Sequence, residues 1–88
     1  MSVSAAEIET ALRAALAPLA LDVVDDSHRH AGHAGALEGR HFSIRIVSPG
    51  FRGLARIARH RLVYDSLRFL MPRGIHALAI DARVPDEP

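Results

Sequence analysis

Three histidines, at positions 28, 30 and 33, crowd into the stretch "DDSHRHAGHAG". Imidazole is the commonest neutral metal ligand, and neighbouring glycines let a loop close around an ion. His30 and His33 flank a two-residue spacer, while His28 and His30 share one side of the chain if it runs extended. A self-contained zinc site needs about four donors in tetrahedral geometry. The loop alone falls short of that, and its competing reading is a solvated polar loop. A further histidine, His76, stands at the head of the apolar run in "RGIHALAI". Its bland reading is a partly buried imidazole satisfied by a backbone carbonyl. His41 precedes Phe42 on the polar side of a strand and could line the same region by adjacency. His60, within "ARHRL", reads as a helix-surface or packing residue.

A second candidate is the turn "GFRG", Gly50 to Gly53, which has the GxxG form used by KH domains to clamp a nucleic-acid backbone. Arg52, Arg56 and Arg59 supply positive charge beside it. Aromatic residues for base stacking are few, and most read as core. No HExxH motif, nucleophile elbow or catalytic triad is present, and Ser27 and Ser48 have no convincing base partner. The expectation is therefore a protein without an enzyme activity of its own.

Composition narrows the field further. The 88 residues suit one domain spanning 1–88 with a modest core, and a chain of this size buries only roughly 60–65% of its unfolded surface. The formal net charge of +1, with acidic and basic residues interspersed, makes no strong electrostatic case for nucleic acid or a membrane surface. The complete absence of cysteine excludes a disulfide framework, a thiol redox site and a zinc ribbon. The N-terminal stretch lacks a basic n-region, and Glu7 and Glu9 interrupt its apolar run, so neither a signal peptide nor a membrane span is expected. A cytoplasmic protein is the default.

The elements that must position these residues follow from periodicity. Ile8, Ala11, Leu12, Ala15 and Leu16 form one helical stripe. Ser4 and Glu7 make a capping-box start, and Pro18 ends the helix. "ALDVVDDS" reads as a short strand with Leu21 and Val23 on one face. "RHFSIRIVS" alternates strictly, with Phe42, Ile44 and Ile46 opposite His41, Ser43 and Arg45. These strands are expected to pair as a hairpin around a mobile histidine loop, residues 28–39. The main helix is read over "LARIARHRLVYDSLRFLM", with Ile57, Tyr64, Leu67 and Met71 on one face, and Arg52, Arg56, Arg59 and Arg68 toward solvent. Pro72 and Gly74 would end it. A third strand, "IHALAIDARV", sets Ile75, Ala77, Ala79 and Asp81 against His76, Leu78, Ile80 and Ala82, and its apolar stretch suggests a place inside the sheet. Residues 1–3 and 84–88 read as flexible ends. The order α-β-β-α-β describes a small α+β domain, a three-stranded sheet with helices packed on one face.

Taken together, "DDSHRHAGH", "HFSIRIVS", Phe51 to Gly53, "RHRLVYDSL" and above all "GIHALAI" resemble the BolA family over nearly the whole chain, Ile8 to Pro85. The resemblance implies a KH-like (class II-like) fold. It also implies a partner, a monothiol glutaredoxin, forming a heterodimer that binds a [2Fe–2S] cluster for iron–sulfur trafficking and iron regulation. By the family pattern the histidine of the "HALAI" strand, His76, is one ligand, and the first hairpin loop supplies the other. Aligning "DDSHRH" on that loop puts His30 at the position, with His33 and then His28 as alternatives. Glutaredoxin and glutathione would bring the thiolates that this chain lacks, replacing two of the usual four by imidazoles. The isolated protein is expected to be a monomer holding no cofactor, or an adventitious metal ion. Some bacterial members are transcription regulators, and a DNA contact here would use Gly50, Arg52, Gly53, Arg56 and Arg59.

Overall fold

The computed structural model describes residues 3–26 and 40–87. The mobile-loop expectation for 28–39, and with it His28, His30 and His33, lies outside the described residues. Helix α1 spans Ala5–Leu16, strand β1 Ala20–Asp25, strand β2 Arg40–Val47, helix α2 Arg56–Ser66 and strand β3 Ile75–Arg83. Short 3-10 turns at Pro49–Phe51 and Met71–Arg73 lead into and out of the α2 region.

Helix α1 begins as its sequence dictates. The Ser4 hydroxyl accepts from the Glu7 N–H at 3.2 Å, and the Glu7 carboxylate accepts from the Ser4 N–H at 3.1 Å. Two of the orphan N–H groups at the helix start are thereby satisfied. At the other end Ala17 adopts a left-handed conformation (φ 43°), out of the right-handed α region that Pro18 disfavours for its predecessor.

The sheet runs in the order β1-β2-β3. β1 pairs with β2 antiparallel, Val23 opposite Ile44 and Leu21 opposite Ile46, which is the expected hairpin. β3 lies parallel to β2, with Ile44 opposite Ile80. The most buried strand is therefore β2, and the expectation that β3 sits inside the sheet is corrected: it is an edge strand. Its apolar residues are covered by the helices on one face, so burial there needs no second neighbour in the sheet. Phe42, Ile44 and Ile46 join Val3, Ile8, Leu12, Phe51, Val63, Leu67, Leu70 and Ile75 in one core. On the opposite face, among the described residues, no helix covers His41, Ser43 and Arg45.

Helix α2 is shorter than its periodicity suggests. It ends at Ser66, where the Leu67 N–H turns to the Tyr64 carbonyl, an i to i−3 bond that tightens the chain. The face expected to be buried is also shifted: Val63, Leu67 and Leu70 are buried while Ile57 and Tyr64 face outward, 63% and 39% exposed. The ends read as flexible carry contacts. Val3 is fully buried, and Glu87 accepts from the Val84 N–H at 3.0 Å and pairs with Arg59 at 2.6 Å.

Candidate functional site

The first site is built by an irregularity. Arg40 lies opposite Ile75 and His41 opposite Ala77, so β3 carries one extra residue, His76, against β2. A bulge of this kind re-aims a side chain, because the period of a strand is two and a single insertion reverses the faces. Strict alternation places His76 with Leu78, Ile80 and Ala82 on the core side. The structure corrects this. Ile75 enters the core, and His76 stands exposed on the open face of the sheet. There its ring meets that of half-buried His41, with centroids 5.0 Å apart and planes tilted by 39°. The polar-face reading of His41 holds, and so does its adjacency to His76. What alternation hid was the parity shift that brings the two rings together.

The same end of the sheet anchors the histidine-bearing segment. Asp26, the last described residue before it, donates its N–H to the His41 carbonyl at 2.8 Å. Its carboxylate accepts from the Ser43 hydroxyl. Arg40, the first described residue after it, donates its N–H to the Gly74 carbonyl at 2.8 Å and pairs with Asp25 at 2.6 Å. Gly74 has φ 141°, a conformation rarely adopted by residues with a side chain, and it delivers the chain into the bulge. A hollow of about 350 Å³ beside His41 is floored by Ser43, Ala77 and Ala79. Among the described residues no group of three or more histidine or acidic side chains is placed to hold a metal ion. An exposed imidazole fits as one donor to an iron–sulfur group, whose thiolates a chain without cysteine must take from outside.

The arginine candidates stand elsewhere. Gly50 to Gly53 follows the far end of β2, and the length of that strand separates it from His76 by about 23 Å at ~3.3 Å per residue. Phe51 of the turn is buried, and Gly53 closes it with φ 76°. Arg52 pairs with Asp86 at 3.1 Å. Arg59, expected toward solvent, is instead 18% exposed. It donates to the carbonyls of Leu54 (2.9 Å) and Ala82 (3.1 Å) as well as to Glu87. The Val84 N–H and then the Arg59 guanidinium hold the Glu87 carboxyl below its ordinary range. Arg56 remains exposed, and with His60 it borders a hollow that Asp81 and Glu87 also line. Arg52 and Arg59 are thus ion-paired, and Arg59 is a structural clamp.

A family model described as BolA-like protein matches residues 12–87. The chain belongs to the BolA family. Within it, this BolA-like chain is 43% identical to the chloroplastic protein BOLA1 of Arabidopsis thaliana, with 94% of the chain aligned to 54% of that protein. It therefore spans about half the length of that relative. It is 42% identical to the DNA-binding transcriptional regulator BolA of Escherichia coli, over 83% of this chain and 68% of that one. The solved BolA domain of SufE1 from Arabidopsis thaliana superposes with a TM-score of 0.86 at 42% identity, covering 100% and 99% of the two chains. Among the described residues no helix is long and apolar enough to cross a membrane.

Proposed function

We propose that this BolA-like protein is the partner of a monothiol glutaredoxin and co-ligates a [2Fe–2S] cluster in cytoplasmic iron–sulfur trafficking and iron regulation. It acts as a binding partner rather than an enzyme. One observation carries the reading: the bulge presents His76 on the open face, beside the two residues, Asp26 and Arg40, from which the histidine-rich segment departs and returns. His76 is one imidazole ligand in this reading and His30 the other, with His33 and His28 as alternatives. The partner's cysteine and a glutathione thiol complete the set. Neutral imidazole is the binding form, so protons compete with the iron for these ligands and acid weakens the shared cluster.

The test is anaerobic reconstitution with a monothiol glutaredoxin, followed by visible circular dichroism of the purified complex. The wild-type heterocomplex gives a spectrum distinct from that of the glutaredoxin homodimer. His76→Ala abolishes this difference and His30→Ala weakens it. If both variants match wild type, the ligand assignment is wrong. If the wild-type complex merely reproduces the homodimer spectrum, the protein docks without sharing iron.

A second reading, DNA binding through the turn and α2, is favoured by the likeness to the DNA-binding transcriptional regulator BolA of Escherichia coli. The ion pairs that occupy Arg52 and Arg59 weigh against it. Under that reading binding is steeply salt-dependent and Arg56→Ala weakens it.

A further inference from the structure

We infer that His41 and His76 together form a two-imidazole site for a divalent late transition-metal ion, in the free chain and without glutaredoxin. The separation of the rings is the leading observation. With metal–nitrogen bonds of about 2.0–2.1 Å, each ring centre sits about 3.2 Å from the metal, and a tetrahedral angle sets the two centres about 5.2 Å apart. The observed separation is 5.0 Å. The rings are tilted by 39° rather than stacked in parallel.

Placement supports the same conclusion. The bulge that puts His76 on the open face costs β3 its regular alternation there, and what it achieves is the meeting of these two imidazoles. Among the described residues no helix covers that face, where His76 is exposed and water can fill the remaining positions, and a hollow lies on the other side of His41 along β3. Imidazole suits zinc, copper, nickel and iron, and the lack of cysteine removes the softer competing ligand. The inference goes beyond cluster sharing, since it needs neither the partner nor the 27–39 segment. The two share His76, so an ion on the pair excludes the cluster.

Zinc titration of the isolated protein by calorimetry, with cobalt substitution read by visible absorption, provides the test. The wild type binds one ion per chain with a tetrahedral cobalt spectrum. His41→Phe keeps a ring for packing while removing the nitrogens, and both it and His76→Ala weaken zinc binding at least tenfold. The triple variant His28→Ala, His30→Ala, His33→Ala stays within about threefold of wild type. If His41→Phe binds zinc as the wild type does, the rings meet only for packing and the inference is overturned. Binding lost in the triple variant but kept in His41→Phe overturns it too, by placing the ion on the loop. Because no glutaredoxin is present, either result leaves the cluster reading to its own experiment.

Discussion

Among the described residues Ser48 is the one polar residue with a fully buried side chain, and its hydroxyl ties the end of α1 to the turn after β2. It donates to the Leu16 carbonyl at 2.7 Å, an orphan acceptor at the end of α1, and accepts from the Gly50 N–H at 3.1 Å. Ser48→Ala strands a buried carbonyl and should cost about 1–3 kcal/mol, measured by denaturant unfolding. Arg59 acts similarly at longer range. Removing it frees the carbonyls of Leu54 and Ala82, so Arg59→Ala should cost roughly 1–3 kcal/mol, whereas exposed Arg56→Ala should stay within about 0.5 kcal/mol. The same unfolding experiment separates them, and any loss of nucleic-acid binding in Arg59→Ala must be corrected for it. Neither role is legible locally. Ser48 follows a strand like any polar residue, and Arg59 carries the helical spacing of a surface arginine, while Leu16 lies 32 residues from Ser48, and Ala82 and Glu87 lie 23 and 28 from Arg59.

At the scale of elements, the strands and helix starts are the parts most open to reading from sequence. Alternation in β2 and the Ser4–Glu7 box depend on neighbours within four residues, and both form as expected. β3 departs from its pattern because the extra residue at its head is defined only against the strand beside it. Gly74 makes that junction, with φ 141° and its carbonyl bound by Arg40. Gly74→Ala should therefore lower stability by about 1–3 kcal/mol. It should also speed amide hydrogen exchange at Arg40. Unchanged exchange there would mean that the bulge does not depend on the glycine. Helix α2 ends early for a related reason: Leu67 and Leu70 reach the core through tight turns, which a uniform helical wheel does not represent.

Across the whole molecule, carboxylates tie the ends of the chain to its body. The Ser4 N–H and then Arg73 hold the Glu7 carboxyl below its ordinary range, and the Glu7–Arg73 pair, at 3.1 Å, links α1 to the approach to β3. Asp81 is lowered by the Arg83 hydrogen bond, then by the charges of Arg83, Arg45 and Arg56, and Glu87 by the Val84 N–H and Arg59. In each case the folded state binds protons less readily than the unfolded chain. The stabilisation is present above the ordinary values of 4.5 for Glu and 3.8 for Asp, and is lost as pH falls through the lowered ones. Thermal midpoints followed by circular dichroism should therefore hold above about pH 5 and decline below it. The decline is modest because these groups are exposed and screened. Glu7→Gln with Glu87→Gln should flatten it, and an equally steep decline in that variant would assign acid sensitivity to other groups.

By itself, the sequence determined the α+β class, the order of elements, the polar and apolar faces of β2, and the absence of any cysteine ligand. These rest on composition and short-range periodicity, which act before the chain is compact. Only the tertiary structure decided that β3 lies at the sheet edge, that Arg59 is a clamp, and that His76 faces outward against His41. Each of those depends on register between segments far apart in the chain, and a shift of one residue reverses which face a side chain takes.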